Sequence, residues 1–354
     1  MGCSLQNFRI SIKSFELVFI KLDFRVSFGV EVLEMMLVTP RRLTNNSTGG
    51  RVTEFILVGI PGFQRWQHWL SVPLAPLLFV AVMANITLVF TIYREQNLHE
   101  PMYYFLFKLA LVDLALSLVT TPKILAMFWF DLRSISPAGC FAQMFFVHCL
   151  LGSESGVFVA MAFDRYFAIC SPLRYTSVLT NVLVGKVMAV ITVRSLVCTV
   201  PLPLFAARLH YCSDPYVRHS FCANLAVVKL ACDDISLSSI YQLAIAWSML
   251  GGDLIMIFLS YCLILHAVLK LRTEGAASKA FSTCISHLIL ILFFYSTLIV
   301  LALTNKSESE IITDMAIVLN VLHLIVPPAL NPIVYGVRTK EINHGIRKQF
   351  SYRS

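Results

Sequence analysis

Four ionisable side chains, Asp113, Glu154, Arg194 and Asp253, stand inside stretches that are otherwise apolar. A charge at the centre of a bilayer costs roughly 2.5–3.5 kcal/mol on the gentler scales, so each needs a partner, water or a proton. Asp113 and Glu154 fall near mid-depth of two successive stretches, where they can share a hydrated pocket with Asn85 and Asn331. Such a set suits a sodium ion or a proton that biases a conformational equilibrium. The plainer reading is a hydrogen-bonded polar seam joining helices. Arg194 and Asp253 each need a neighbour, and the sequence does not pair them.

Asp164-Arg165-Tyr166 closes the stretch that carries Glu154. Its carboxylate can hold the adjacent guanidinium at rest and release it when helices separate, although an interfacial arginine ordinarily just snorkels to headgroups. His148, further up the same stretch, can point into a bundle and hydrogen-bond a guest. Lys306 can meet an anion at the mouth. The plain alternatives are a histidine satisfied by neighbouring helices and a solvated loop lysine. No serine or cysteine is tied to a base by a recognisable spacing. No Cys-x-x-Cys pair or His-x-x-x-His group suggests zinc.

The elements that must position these residues follow from composition. Of 354 residues, 57% are apolar and 14% charged, against about 25% charged in a soluble domain. Mean hydropathy is +0.75. These values exclude a disordered chain, a nucleic-acid-binding domain and a small disulfide scaffold, and they point to a polytopic membrane protein. A hydrocarbon core of about 30 Å needs about 20 apolar residues in helix. Seven stretches qualify: 69–93, 102–126, 140–163, 183–206, 236–265, 279–303 and 313–336. Lys108, Asp113 and Arg194 interrupt the second and fourth. Helix is required, because an open sheet would leave backbone groups unpaired in lipid.

Basic residues set the orientation. With the N-terminus outside, the cytoplasmic side collects Arg94, Arg165, Arg174, Lys186, Lys270, Arg272, Lys279, Arg338, Lys340, Arg347, Lys348 and Arg353. The outer loops then hold Arg133, Arg208, Arg218, Lys229 and Lys306. Asn45 and Asn46 open two overlapping glycosylation sequons in a polar segment that an outside tail would present. Residues 1–35 mix charge into apolar alternation, lack the core of a signal peptide and read as an upstream extension. Of ten cysteines, Cys140, Cys212, Cys222 and Cys232 fall on the oxidising side. They allow three connectivities, which spacing leaves open.

Five ordered motifs carry a resemblance. They are LHEPMYYFL (98–106), MAFDRYFAIC (161–170), Ser260-Tyr261, KAFSTCISHL (279–288) and PPALNPIVYG (327–336). Together they closely resemble odorant receptors, which are rhodopsin-like G-protein-coupled receptors. The loop segment KLACDD (229–234) resembles the class I branch. The resemblance covers roughly residues 52–350. It implies an all-α membrane protein, a seven-transmembrane helix bundle with a short cytoplasmic amphipathic helix after span seven. A tail would occupy 1–68, the receptor domain 69–336 and a cytoplasmic tail 337–354.

The resemblance also implies residue roles. Asp164, Arg165 and Tyr166 would form the G-protein switch, with Asn331, Pro332 and Tyr335 as the seventh-span hinge. Cys140–Cys222 and Cys212–Cys232 would be the disulfides. His148, Leu151, Gly152, Thr199, Leu202, Asn224, Ala246, Leu298, Ala302 and Lys306 would line the ligand pocket. The ligand would be a small odorant, with Lys306 favouring a carboxylic acid, and the partner a stimulatory olfactory-type G protein at the plasma membrane. No cofactor is implied; a sodium ion near Asp113 and Glu154 is one reading of those residues themselves, beside the polar seam. Two departures from the family pattern stand out: Ala84 before Asn85 where glycine is usual, and a sixth span without proline, so Phe293-Phe294-Tyr295 would supply the pocket floor or a lipid-facing stripe.

Two rivals lack sequence support. A transporter needs an inverted repeat or matched broken helices, and a retinal-bearing pump needs a lysine in the seventh span. Neither is found. An intramembrane enzyme needs an activated nucleophile, and His148 and Glu154 share a helix without one.

Overall fold

The computed structural model describes residues 52–212, 214–269, 274–304 and 310–351. Each apolar stretch forms a long helix: α1 (Gln67–Arg94), α2 (Pro101–Phe130), α3 (Pro137–Cys170), α4 (Asn181–Arg208), α5 (Ser236–Leu269), α6 (Glu274–Thr304) and α7 (Glu310–Arg338). Among the described residues six helices are long and apolar enough to cross a membrane, and α6 adds a shorter apolar stretch, His287–Val300. The helices overrun the stretches that predict them, α3 by about two turns at its second end. Apolarity stops where hydrocarbon does, but backbone hydrogen bonding continues into the interface.

Local chemistry fixes the ends. Ser136 Oγ accepts from Gly139 N at 3.2 Å to cap α3, with Pro137 at its first position. Thr180 Oγ1 accepts from Leu183 N at 3.3 Å to cap α4. α2 stops at Asp131, whose φ of 55° is left-handed. α5 widens into a π turn over Ala246–Gly251.

α3 is the hub. Of its apolar window 72% is buried, against 28% in α1 and in α5. The run Val157–Ala162 lies wholly inside, as expected of a helix that is apolar all round. Large apolar side chains such as Trp69, Phe79, Phe258 and Leu292 are exposed on the outer helices, where lipid would cover them.

One end of the bundle carries a three-stranded sheet, here called the sheet end. β1 (Phe55–Leu57) lies between β2 (Ser134–Ile135), antiparallel, and β3 (Tyr216–Val217), parallel. Phe55, Leu57 and Ile60 are buried with Met144 and Ile124. The last residues of the segment expected to be a free tail are therefore built into the mouth. Gly59 N donates to His219 O, and Gly59 has a φ of 83° that a side chain would strain. At the opposite end α8 (Lys340–Ser351) turns back against α1. Ile342 is fully buried there, Lys348 pairs with Glu95 at 3.0 Å, and a Cβ on Gly345 would press on Thr91 Cγ2 at 2.9 Å.

Candidate functional site

The polar core gathers at mid-bundle. Asn331 Nδ2 donates to Asp113 Oδ2 at 2.9 Å, and Glu154 interacts with both residues. All three are buried. Asn85 does not join them through its amide N–H, which donates to Ala81 O and Pro328 O, each at 2.8 Å. Four oxygens, Asn85 Oδ1, Asp113 Oδ1, Glu154 Oε1 and Asn331 Oδ1, have no hydrogen-bond partner among the described residues. Carboxylate and amide oxygens are hard donors, of the kind that suits water or a hard cation.

A second buried network pairs what the sequence could not. Arg194 on α4 grips Asp253 on α5 bidentately, Nη1–Oδ1 at 2.7 Å and Nη2–Oδ2 at 2.8 Å. Arg194 Nη2 also donates to Gly152 O at 3.2 Å. Ser155 Oγ donates to Asp253 Oδ2 and meets Tyr295 Oη, both at 2.7 Å. The network thus spans α3, α4, α5 and α6. Gly152 sits in its wall, where a Cβ would come within 2.7 Å of Met249 Cε. Ser155 escaped sequence reasoning, and Tyr295 was expected only in the aromatic run 293–295 and not in a polar network; the available signal was one buried cation and one buried anion on neighbouring spans.

At the α8 end Arg165 Nη2 bonds Asp164 Oδ2 at 2.6 Å and also contacts Met102 Sδ. Tyr175, in the loop after α3, donates its Oη to Asp164 Oδ1 at 2.7 Å. Burial, then the charge of Asp164, pushes the Tyr175 phenol well above its usual range. Ser260 Oγ donates to Ala162 O at 2.9 Å. Tyr261 Oη meets His287 Nδ1 at 3.3 Å, and the His287 ring lies 5.7 Å from that of Tyr335. The conformation is one in which the arginine is clasped and α6 is tied to α5 and α7.

Near the sheet end, Cys140 is bonded to Cys222 and Cys212 to Cys232. The first bond fixes Phe221, which is buried with Leu116, Val147 and Leu324 beside Leu151. His148 Nδ1 is 2.8 Å from Met144 O, so in the neutral ring Nδ1–H donates and Nε2 is left as an acceptor. Asn224 is fully buried and donates to Gln242 Oε1 at 2.6 Å. Thr199 Oγ1 donates to its own helix at Ser195 O. Leu202 packs with Phe205, Tyr241 and Ile245 in the α4–α5 seam. Ala246 opens the π turn, and Leu298 packs against the main core. In α6, Phe294 is buried against Phe158 and His323, with ring centroids 5.3 and 5.0 Å away, whereas Phe293 is exposed. Ala302 falls in the last turn of α6. Lys306, Asn45, Asn46 and residues 1–35 lie outside the described residues.

Seven apolar helices about a buried third, with a disulfide-pinned mouth and a clasped Asp-Arg-Tyr at the far end, define a rhodopsin-like receptor. The fold matches squid rhodopsin with a TM-score of 0.66 over 82% of this chain and 86% of that one, at 15% identity. Residues 74–353 match the family model described as olfactory receptor. Human olfactory receptor 56A1 is 52% identical over 88% of this chain and 98% of its own length. Mouse olfactory receptor 56B34 is 47% identical over 86% and 95%. The chain belongs to the olfactory receptor family of G-protein-coupled receptors. It is a multi-pass membrane receptor and not an enzyme.

Proposed function

We propose that the receptor binds a small organic odorant in the sheet-end half of the bundle and activates a stimulatory olfactory-type G protein, raising cyclic AMP. The observation that carries this reading is the Asp164–Arg165 clasp reinforced by Tyr175, a resting lock that separation of α6 from α5 and α7 would open. Arg165 would then reach the G-protein α-subunit. Ligand can drive this only through different affinities for the two states. The pocket comprises His148, Leu151, Gly152, Thr199, Leu202, Asn224, Ala246, Leu298, Ala302 and Lys306, with Lys306 selecting carboxylic acids. A ligand of about ten heavy atoms at about 0.5–0.8 kcal/mol each would bind in the micromolar to high-micromolar range.

The sheet end faces outward at the plasma membrane, with glycans on Asn45 or Asn46. Two disulfides at that end suit an oxidising compartment, and α8 suits the basic cytoplasmic side. Asp113 and Glu154 hold a sodium ion in the resting state, each with one carboxylate oxygen that has no hydrogen-bond partner among the described residues.

The test is a cyclic AMP dose–response in transfected cells against a panel of small acids and esters. Wild type should respond and Arg165→Ala should not. Full signalling by Arg165→Ala would overturn the switch, and equal acid potency in Lys306→Ala would overturn the acid preference.

A further inference from the structure

Residues 55–62 form a strap across the sheet end, held unequally on its two sides. Toward α1 and the loops the hold is dense. Ile56 N donates to Pro215 O at 2.9 Å, Leu57 N to Arg133 O at 3.0 Å and Val58 N to Val217 O at 2.9 Å. Arg133 Nη1 donates to Val58 O at 2.7 Å, and the buried Gln67 donates its Nε2 to Ile60 O at 2.9 Å. Phe55 stands edge-on to Phe141 and Tyr211, with ring centroids 6.2 and 5.0 Å away. Toward α7 the polar hold is an exposed bond, from Gly62 N to Asp314 Oδ2 at 2.9 Å. A Cβ on Gly62 would overlap that oxygen, so the contact requires glycine. Asp314 heads a stripe of α7 with Ile317, Val321 and Ile325, at helical spacing. The three apolar members share one core with Phe55, Leu57 and Ile60.

The part of α7 that meets the strap ends at a weak point. Pro327 and Pro328 have no N–H to offer the carbonyls of His323 and Leu324, so two successive rungs of the helix ladder are absent. Beyond them Asn331 is bonded to Asp113, and Tyr335 lies against His287 of α6. Before them, residues 310–326 form a lever with Asp314 near its far end. His323 sits beside the pivot. It is buried, and its ring nitrogens have no hydrogen-bond partner among the described residues, so packing holds the ring. That ring lies 5.0 Å from Phe294 of α6, which in turn packs on Phe158 of α3. A swing of the lever therefore moves a group against which α6 rests.

We propose that the strap is an autoinhibitory device: through the Gly62–Asp314 bond it latches residues 310–326 in the position that accompanies the clasped Arg165. With the latch released, the lever turns about Pro327-Pro328, His323 leaves Phe294, and α6 loses a support at mid-bundle. The link to α7 is the breakable one, because it is exposed while the ladder bonds, Arg133 and Gln67 keep the strap in place without it. The latch is argued from contacts alone; its inhibitory sign rests on the receptor reading.

The mechanical test uses the purified full chain in phosphatidylcholine nanodiscs. Ile317→Cys places a thiol on the strap-facing stripe, and its labelling by a membrane-impermeant maleimide is timed by mass spectrometry. Adding Asp314→Ala or Gly62→Ala should speed that labelling about fivefold, equivalent to about 1 kcal/mol, the net contribution of one hydrogen bond. The buried native thiols Cys149 and Cys284 should label at unchanged rates, which separates a swing of α7 from general loosening. Val318→Cys, partly buried in the same core, decides the matter if Ile317→Cys folds poorly. Unchanged labelling in both latch variants, or equal acceleration at Cys149 and Cys284, would overturn the latch. Replacing Pro327 and Pro328 together by alanine restores the two missing donors and should cancel the acceleration; its persistence would overturn the pivot. In cells, Asp314→Ala should raise basal cyclic AMP about fivefold at matched surface expression, and an unchanged basal level would overturn the inhibitory role. Failure of the receptor reading would show instead as a wild type silent to every odorant, with the labelling result still deciding the latch.

Discussion

Asn85 on α1 donates its side-chain amide to the carbonyl of Pro328 on α7 at 2.8 Å. That carbonyl is the one Pro332 leaves bare, because a proline four residues on has no N–H to offer it. A hinge in α7 would otherwise bury an unpaired acceptor, and α1 supplies the missing donor. Removing the donor should cost about 1–3 kcal/mol, the penalty for an unsatisfied buried group. Asn85→Leu should therefore lower the unfolding midpoint of the solubilised receptor. Reaction of the buried thiols Cys149 and Cys284 with a fluorogenic probe reports the transition; an unchanged midpoint would show that α7 needs no such donor.

The Arg194–Asp253 pair predicts strong non-additivity. Breaking a buried pair from one side strands the other charge and costs about 3–5 kcal/mol, whereas replacing both with apolar residues of similar volume is often near neutral. Arg194→Met and Asp253→Leu should each abolish surface expression, and the double variant should recover most of it. Flow cytometry of non-permeabilised cells measures this. Additive losses would mean that the two charges act separately, contrary to their bidentate geometry.

These two relationships mark how far sequence carries. Seven helices were legible because lipid demands about 20 apolar residues per span, a signal that depends on no distant contact. The Asp113–Asn331 contact was foreseeable because polar groups at one depth have few alternatives. The pairing of Arg194 with Asp253 was not, since it depends on how α4 and α5 rotate about their axes. Nor was the docking of Phe55–Leu57 on the mouth: three residues are too few to show a period, and their partners lie in two loops far along the chain. Leu202, a pocket residue by its motif position, packs with Phe205, Tyr241 and Ile245 in the α4–α5 seam, a direction that motif position does not give. Motif position fixes depth along a helix more firmly than it fixes direction.

The mouth should loosen in acid. His219 lies in the loop above the bundle, 6% exposed and edge-on to Phe221 with centroids 4.3 Å apart. Burial pushes its imidazole down to about 4 from 6.5. Between those values the unfolded loop binds a proton that the folded loop refuses, so stability rises with pH across this window and is lost as pH falls through it. The full difference approaches about 3 kcal/mol below pH 4. Hydrogen exchange of residues 216–223 should quicken from pH 6.5 toward pH 4.5 after correction for intrinsic rates, and His219→Phe should remove that dependence. Identical profiles in the two proteins would place the acid response elsewhere.

The Tyr175–Asp164 hydrogen bond separates a clasp from a bystander. Asp164 spends Oδ2 on Arg165 and Oδ1 on Tyr175, so Tyr175 orients the carboxylate that holds the arginine. Tyr175→Phe removes only the hydroxyl and leaves the ion pair and ring packing. A hydrogen bond to a charged acceptor contributes about 1.5–3 kcal/mol, and even about 1.4 kcal/mol against the resting state raises the active fraction about tenfold while that state is rare. Basal cyclic AMP without ligand should therefore rise in Tyr175→Phe and rise further in Asp164→Asn, with surface expression matched by titrating plasmid. Arg165→Ala should cancel the increase when combined with either, because the freed guanidinium is what would engage the G protein. Basal signalling that falls in Tyr175→Phe, or that persists without Arg165, would make the clasp a packing contact and not a lock.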